Sequence, residues 1–600
     1  MNKKLSVFLF CFACCLTFTL GLSACDNGNG GEDEKDPSHT HTYSTEWESD
    51  EVYHWHASAC GHANEIADKA EHSFSNNICS VCGHKIIVEG FIYELSLDET
   101  FYIVTGNSDR NAETIVVPSE YNGLPVKEIG ENAFADYSAL TNVILPESVA
   151  VVANNAFGNC NAIEKATIPA SAISAIPKTN LKSVVITSGE IKDFAFDGCV
   201  ALTKLTIYDN VTAIENGAFN GCNRIETATI PANAISAVPK TNLKSVTITS
   251  GEIKEFAFKG FSSLTSVTIL DKVTVIDNNA FNGCNTIETA TIPANAISAI
   301  PKTNLKNVTI TSGKIAEQAF YEYNALTNVT ILDEVTIGDY AFEDCSALTK
   351  ITISDNVRNI GAGIFYGCKS LNYNQYDNAY YIGNDNNPYL ILVKTTDKSI
   401  TNCIINENTK FILGGYRETL REGNGFAGCD ALSSITIPEG LIGIGDLAFS
   451  CCYNLTDISI PDNLLYVGET AFLSCDKLNY NRYDNGYYLG SKNNPYLIFI
   501  KATDTSITSC SINDKTKFIY GAAVSPWGYE IAFYNCSSLT NIIIPDSVIG
   551  IGGYSFYGCN SLTSINIPDG VTSIEDFAIY RERDLLKNQE NIVKTLQMIV

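Results

Sequence analysis

The residues with the clearest capacity for chemistry lie together near the N-terminus. All seven histidines of the chain fall between positions 39 and 84, in a window that also holds three cysteines. The motif Cys79-x-x-Cys82, followed by Gly83, is typical of a tight turn whose two thiolates bind one tetrahedral zinc ion. The predicted ligands are Cys60, Cys79, Cys82 and either His56 or His72.

A structural role suits this metal better than a catalytic one. A segment as short as 41–90 buries little surface, so a bound ion would supply much of its stability. Catalytic zinc needs an open coordination position and a general base in a cleft, and nothing in the segment indicates a cleft. The alternative is a redox-labile loop or a disulfide pair, with the histidines acting only as solvated polar residues.

The first residues of the chain predict export and lipid anchoring. Lys3 and Lys4 precede an apolar run that ends before Leu22-Ser23-Ala24-Cys25, a sequence that resembles a bacterial lipobox. We therefore expect residues 1–24 to be a lipoprotein signal peptide and Cys25 to carry a covalent lipid, which would hold the chain at a membrane. Residues 25–40 then form an acidic, glycine-rich tether. The alternative is an ordinary secretory signal with an incidental cysteine.

A repeated phrase occupies most of the remaining chain. Ala-Phe, two residues, Cys and then Leu-Thr-x-Ile-x-Ile-Pro recurs with a basic step of 23 residues, for example at 156–169 and 555–568. A fixed period of this length predicts a solenoid, in which each coil stacks only on its neighbours. The alternating Leu-x-x-Ile-x-Ile stretch predicts a short strand with one buried face, which the following proline ends. Ala-Phe is expected to begin another side of the coil with one helical turn.

Two variations interrupt the period. Segments 168–189, 230–251 and 292–313 each add a strand on a shortened coil. Segments 371–401 and 478–508 repeat each other almost letter for letter, and each carries an Asn-Asn-Pro turn between tyrosine-rich and aliphatic runs. We expect each of these two segments to form a β-hairpin that extends a coil.

Eleven cysteines share one position, three residues after a repeat phenylalanine. One small apolar residue per coil at a fixed place indicates burial and free thiols rather than a disulfide framework. Tyr137, Phe261 and Tyr323 take this position in three coils, which also favours burial. Disulfides between adjacent coils remain an alternative outside the cytoplasm.

The composition disfavours several classes of function. A net charge of −28 repels phosphate backbones, so nucleic-acid binding is not expected. Nucleophilic machinery of the Ser-His-Asp or Cys-His kind needs a histidine, and none follows His84. The acids stand mostly in turns such as Asp209-Asn210, where we expect them to be solvated, and no phosphate-binding loop is present. The chain is therefore predicted not to be an enzyme.

The Ala-Phe-x-x-Cys-x-x-Leu-Thr-x-Ile-x-Ile-Pro phrase and the Asn-Pro-Tyr-Leu hairpins resemble those of BspA-like bacterial leucine-rich repeat surface proteins. The resemblance covers residues 91–580 and implies an α/β-type leucine-rich repeat solenoid, mostly β, with a parallel strand stack and short helical turns. It also implies a secreted or surface-anchored protein linked to adhesion to host proteins or to other microbes. The Cys/His segment resembles short zinc-ribbon-like modules that precede such repeats. Residues 581–600 leave the pattern, as a polar cap or as an atypical tail.

Binding is the function that remains. Outward positions of the predicted sheet carry short polar residues such as Lys204 and Thr206, which serve a partner or simply favour strands. The hairpins add tyrosines, which either contact a ligand or pack the hairpin on its coil. The candidate contact residues are Tyr376, Tyr380, Tyr381, Tyr389, Tyr483, Tyr487, Tyr488 and Tyr496. We expect a monomeric, lipid-anchored surface adhesin that binds a host or microbial protein, or alternatively a glycan-capture lipoprotein that uses these tyrosines.

Overall fold

The computed structural model describes the backbone of residues 43–49, 53–58, 66–71, 74–75 and 78–79, Val81, and backbone and side chains of 90–332, 334–415, 424–522 and 531–579. The N-terminal part contains small antiparallel sheets. Their strands are Tyr43–Ser49, Tyr53–Ser58 and Ile66–Glu71, and the pair Phe74–Ser75 and Ile78–Cys79.

The repeat region begins with a five-stranded sheet that closes the N-terminal end of the stack. Its first two strands pair antiparallel, the next coils add parallel strands, and the short strand Glu120–Tyr121 pairs antiparallel with the strand that follows it. The strands are Phe91–Leu95, Tyr102–Asn107, Glu120–Tyr121, Leu124–Ile129 and Val151–Val152. The tyrosines Tyr93 and Tyr121 stack here with ring centroids 3.8 Å apart.

A twelve-stranded parallel sheet, the long sheet, forms one side of the stack from residue 114 to residue 353. Each coil contributes one short strand, and buried and exposed side chains alternate along it, as the period-two pattern predicts. The strands are Thr114–Val116, Asn142–Ile144, Lys165–Ile168, Ser183–Ile186, Lys204–Ile207, Thr227–Ile230, Ser245–Ile248, Ser266–Ile269, Thr289–Ile292, Asn307–Ile310, Asn328–Ile331 and Lys350–Ile353. The predicted mostly β solenoid with a parallel strand stack is confirmed.

A second side of the coils carries shorter parallel pairings. These strands are Gly189–Ile191 with Val211–Ile214, Gly251–Ile253 with Val273–Ile276, and Lys314–Ile315 with Thr336–Ile337 and Asn359–Ile360. They follow the long-sheet strands along the chain, as the Val-x-x-Ile contacts predict.

The position of the helical turns differs from the expectation. The Ala-Phe segments are turns, and the residue before Ala-Phe often has a left-handed backbone, as at Asn155 with φ 60°. The described helices are short 3₁₀ helices that lie instead on the shortened coils, where Ala-rich runs replace the longer turn. They are Ala170–Ala172, Ala232–Ala237 and Ala294–Ala299. The extra strands predicted for these coils are present, for example Ser245–Ile248.

Each predicted hairpin insertion is a three-stranded antiparallel meander. The first meander has strands Asn374–Tyr376, Ala379–Ile382 and Ile391–Thr395, and the second has Asn481–Tyr483, Gly486–Leu489 and Ile498–Ala502. The Asn-Asn-Pro turn joins the second and third strands, so the hairpins are confirmed. The sequence interpretation missed the tight turn at Asp377-Asn378, which adds the first strand.

The last strand of each meander continues the stack with parallel strands from the following coils. After the first meander these are Phe411–Ile412, Gly443–Ile444 and Tyr466–Val467, beside the pair Asn402–Ile404 and Ser434–Thr436. After the second they are Phe518–Ile519, Gly550–Ile551 and Ser573–Ile574, beside Ser509–Ser511 and Asn541–Ile543.

The core is a column of repeat side chains. Phenylalanines of adjacent coils stack on one another, as Phe196 does on Phe219 at a centroid distance of 4.9 Å, and Phe258 on Phe281 at 4.5 Å. Beside them the repeat cysteines are buried, and the thiol of Cys345 donates to the Phe320 carbonyl oxygen of the preceding coil at 3.1 Å. The cysteine therefore fills space and satisfies a buried backbone acceptor.

Candidate binding surfaces

The outward face of the long sheet carries a regular array of hydroxyl groups. The register places eight threonines side by side on consecutive strands, and all are half-buried. They are Thr206, Thr229, Thr247, Thr268, Thr291, Thr309, Thr330 and Thr352. Strands in a sheet lie about 4.8 Å apart, so the array repeats with that spacing. Over these eight strands the face is polar and extended, whereas Ile144 and Val185 take the same column on earlier strands.

A second column of polar side chains runs beside the threonines, two residues earlier in each strand. It contains serines, threonines, lysines and amides, and the amide nitrogen of Asn328 donates to the side-chain oxygen of Asn307 at 2.8 Å. Lys204 and Lys350 extend from the same column. The two columns together give a long surface of hydrogen-bonding groups, suited to an extended partner.

The meander tyrosines divide into buried and exposed residues. Tyr381 and Tyr488 have 0% of their surface exposed, so they cannot contact a ligand, and the expectation of a contact role is wrong for these two. Their rings point into the core because they lie on the central strand of each meander, opposite the outward Tyr380 and Tyr487. Burial raises the pKa of Tyr381 far above the usual value of a phenol.

The remaining tyrosines form one edge cluster in each meander. In the first, Tyr376 is 38% exposed and lies 5.6 Å from Tyr389, which packs edge-on against the buried Tyr381 at 5.6 Å. In the second, Tyr483 is 40% exposed and lies 5.6 Å from Tyr496. The same arrangement in two copies indicates that each meander presents an aromatic edge to solvent.

The outer face of each meander holds a further cluster that the sequence interpretation missed in part. Tyr380 lies 5.9 Å from Tyr373, and the Lys394 ammonium lies 4.6 Å from the centre of the Tyr373 ring. In the second meander, Tyr487 lies 6.1 Å from Tyr480. Tyr373 and Tyr480 immediately precede the strands, so the alternation of the Leu-Asn-Tyr-Asn run could have indicated them.

The thiols of the repeat region are structural. In the part of the chain whose side chains the structure describes, all 14 cysteines are free, and all except the half-buried Cys451 are buried. Burial raises the pKa of Cys345 to about 12 and that of Cys284 to about 11, so both remain protonated thiols at neutral pH. The prediction of free, buried thiols is confirmed for these residues.

The predicted metal and lipid sites lie outside the described side chains. Cys25, Cys60, Cys82 and His72 fall outside the described residues, and of His56 and Cys79 only the backbone is described. Among the described residues, no group of three His, Cys, Asp or Glu side chains could hold a metal ion. In that same part of the chain, no helix is both long and apolar enough to cross a membrane.

Two depressions in the described surface were not predicted. A shallow cleft of about 620 Å³ lies where the end of the long sheet meets the first meander, and Thr330, Thr352, Asp355 and Asn384 line it. The Asn384 amide nitrogen donates to the Asp355 carboxylate at 2.9 Å, which fixes the loop beside the threonine column. The cleft thus continues the polar face of the long sheet.

The second depression, the acidic cavity, has a volume of about 700 Å³ and is lined by several carboxylates, including Asp446 and Glu469. Burial raises the pKa of Asp446 to about 6 and that of Glu469 to about 7. The expectation that the acids are solvated turn residues is therefore wrong for these two. Residues from widely separated coils line the cavity, and no local sequence signal brings them together.

The repeats match one known family of repeat sequences. Six segments match the BspA type leucine rich repeat region: 108–179, 174–288, 236–312, 298–386, 417–523 and 529–591. No curated protein matches the chain.

Solved structures with leucine-rich repeats are similar to the chain at low identity. A leucine-rich cell surface protein from Faecalibacterium prausnitzii is 21% identical, with 83% of this chain and 96% of that chain covered and a TM-score of 0.19. A leucine-rich repeat protein from Bacteroides ovatus is 18% identical, with 66% and 93% covered and a TM-score of 0.17. The Toll–Spatzle complex of Drosophila is 13% identical, with 85% and 59% covered and a TM-score of 0.33. At these values the similarities carry no argument about function.

Proposed function

The chain belongs to the family of BspA-type leucine-rich repeat proteins, and on this premise we propose that it is a non-catalytic, adhesin-like binding protein of the cell surface. The observation that carries the proposal is the in-register polar face of the long sheet. Eight aligned threonines and the column beside them offer donors and acceptors over many strands, and this arrangement suits an extended protein partner. The net charge of −28 favours a neutral or basic partner surface.

The test is binding of the soluble chain, without residues 1–25, to extracellular matrix proteins, mucin and bacterial cells. We expect saturable binding that falls at least tenfold, or about 1.4 kcal/mol, in Thr268→Arg, because a long charged side chain would stand in the middle of the face. Val275→Arg is the matched control, since Val275 is 45% exposed on another side of the same coil. Binding that is insensitive to Thr268→Arg, or absent altogether, would contradict the proposal.

A second candidate function is glycan capture by the meanders. The observation that favours it is the duplicated aromatic edge, in which Tyr376 with Tyr389 and Tyr483 with Tyr496 present rings whose faces could stack on sugars. Loss of binding on a glycan array in Tyr376→Ala and Tyr483→Ala, with Tyr321→Ala unchanged, would support this function. Tyr321 is a suitable control because it is 39% exposed on a coil without a meander. Glycan binding that survives both substitutions would exclude it.

The anchoring and metal proposals rest on the sequence alone. We propose that Cys25 carries a lipid and that Cys60, Cys79 and Cys82, with His56 or His72, hold one structural zinc ion. Thiolates and imidazole are the ligands that structural zinc prefers, and the ion would fix the turn at Gly83. Elemental analysis of the full chain tests the metal: one zinc per wild-type molecule and none in Cys79→Ser are expected. Metabolic labelling with a fatty acid, lost in Cys25→Ser, tests the anchor.

A further inference from the structure

The second meander interrupts the stack of coils, and the chain restores contact across the interruption with a small set of bonds. On the side of the acidic cavity, the coil before the meander packs directly on the strand that follows it. The backbone N–H of Thr470 donates to the Gly521 carbonyl oxygen at 3.0 Å, and that of Phe472 donates to the Tyr520 hydroxyl at 2.8 Å. This junction joins the coils before the second meander to the coils after it, through residues that are some 50 positions apart in the chain.

A carboxylate extends the junction by one further coil. Oε1 of Glu469 accepts a hydrogen bond from the Gly553 N–H at 2.8 Å, although the two residues are 84 positions apart. The Glu469 side chain reaches past Gly521, and a Cβ added at Gly521 would collide with Gly552 and Gly553. A Cβ at Gly553 would lie 2.5 Å from Glu469 Oε1. Gly521 therefore permits the close approach of the two backbones, and Gly553 leaves the space that the carboxylate occupies.

A second carboxylate supports the first. Oδ1 of Asp446 accepts from the backbone N–H of Glu469 at 2.8 Å and from the Tyr466 hydroxyl at 3.0 Å. Asp446, Glu469 and Gly553 thus link three coils in series across the meander. We call these two carboxylates, with the hydrogen bonds that they accept, the clasp.

The groups that face the clasp are predominantly acidic. The carboxylates of Asp339 and Glu575 face Asp446, and those of Glu575 and Asp576 face Glu469. Glu317 and Lys314 also line the cavity, together with the phenols of Tyr340, Tyr466 and Tyr520. One lysine opposes several carboxylates, so ionisation of the clasp places like charges close together.

The first meander provides an internal comparison. The two meander regions are offset by 107 residues, so Ala362 stands where the second has Glu469, and Asp446 stands where it has Gly553. The coils on both sides of the first meander also meet in a junction, where the Gly363 N–H donates a hydrogen bond to the Gly414 carbonyl oxygen at 3.1 Å. No carboxylate can reach across from position 362. Asp339 accepts from the Ala362 N–H at 2.7 Å, as Asp446 does from the N–H of Glu469, so the two junctions share a backbone and the first carboxylate and differ in the second, Glu469.

We propose that Asp446 and Glu469 form a proton-sensitive clasp, which holds the coils on both sides of the second meander together in mild acid and loosens as these carboxylates ionise. The geometry carries the inference: two half-buried carboxylates in series, hydrogen-bonded across a chain insertion and facing further acids in one cavity. The clasp thus controls how the coils after the second meander pack on the coils before it, whatever the binding partner.

The direction of the effect follows from the protonation states. Desolvation first, and like charges second, raise the pKa of Asp446 to about 6 and that of Glu469 to about 7, and burial also raises the pKa of Glu575. In the unfolded chain these carboxyls ionise near pH 4. Between about pH 4 and pH 7 the closed clasp therefore binds more protons than the open one, so its stability falls as the pH rises through this window.

Hydrogen exchange of the full chain at pH 5 and pH 8, corrected for the intrinsic pH dependence of exchange, tests the proposal. We expect protection of the Thr470 and Gly553 amides to fall at least tenfold from pH 5 to pH 8, because each unit of pKa difference that falls within this window contributes a factor of ten. Protection of the Gly363 amide, at the first junction, should change less than twofold.

The variant Glu469→Gln keeps an oxygen that accepts from Gly553 but removes the titrating group. We expect it to abolish most of the pH response at Thr470, and Asp446→Asn to reduce it. An equal pH response at Thr470 and Gly363 in the unmodified protein would overturn the proposal, as would a full response in Glu469→Gln. The comparison of Thr470 with Gly363 in the wild-type protein tests the proposal even if a variant fails to fold.

Discussion

At the scale of single residues, the same amino acid has opposite roles two positions apart. Phe196 is 1% exposed and stacks on the next coil, whereas Phe194 is 58% exposed and has a left-handed backbone with φ 60°. In a neighbouring coil the residue two positions before the repeat phenylalanine is Asn155, which has the same left-handed backbone with φ 60° and adopts it at less cost than a phenylalanine does. The position of a phenylalanine in the repeat therefore decides whether it is buried, and its residue type alone does not.

The first prediction compares substitutions at Phe196 and Phe194. Phe196→Ala removes a stacked core ring and should lower the free energy of unfolding by about 3–5 kcal/mol. Phe194→Asn relieves backbone strain without loss of core contacts, so it should raise that free energy by about 1 kcal/mol. Urea denaturation followed by circular dichroism measures both. Equal destabilisation by the two substitutions would show that the positions are not distinguished by burial and backbone conformation.

At the scale of elements, each meander depends on an aspartate that forms its tight turn and also accepts a hydrogen bond from the following strand. Asp377 has φ 46° in the tight turn, and its Oδ2 accepts from the Ile404 N–H at 2.7 Å, which ties the meander to the following strand. Asp484 repeats both features in the second meander, where its Oδ2 accepts from Ser511 N–H at 2.7 Å. The aspartate therefore orients the tyrosine edge relative to the stack.

The second prediction concerns this turn. Asp377→Ala should cost about 2 kcal/mol, the sum of a lost hydrogen bond and the strain of alanine at positive φ. Asp377→Asn should be nearly neutral, because asparagine tolerates that backbone and still offers an oxygen. Asp484→Ala is the matched change in the other copy and should cost about the same. Thermal denaturation of the three variants measures the differences, and a neutral Asp377→Ala would refute the assigned role.

At the scale of the whole molecule, stability is local. Each coil contacts mainly its neighbours, and the buried side chains form separate clusters, of which the last comprises residues between Tyr488 and Ala578. A stack of this kind can open in parts, since its stability is a sum of coil and interface contributions.

The third prediction follows from this arrangement. Phe533→Ala removes a ring that stacks on Phe556 with a centroid distance of 5.1 Å, in the cluster after the second meander. It should reduce hydrogen-exchange protection strongly in residues 531–579 and leave Val246 and Val308 of the long sheet unchanged. A uniform loss of protection would mean that the stack unfolds as one cooperative unit.

The amino-acid sequence by itself determined the period, the parallel strand stack, the buried Phe and Cys columns and the two hairpins. These features are local, because one coil of 23 residues specifies its own strand, turn and inward side chains, and repetition does the rest. The tertiary structure decided which tyrosines of each meander are exposed, since two adjacent tyrosines on a strand point to opposite faces and the pattern does not say which face is covered.

The tertiary structure also decided the acidic cavity and the clasp. Glu469 and Gly553 are unremarkable turn residues in the sequence, and each resembles positions in other coils that remain solvated. Their contact depends on how coils before and after a long insertion restack, and on the absence of a side chain at Gly521. Only the path of the backbone through several coils brings such residues together, whereas a repeat pattern describes one coil at a time.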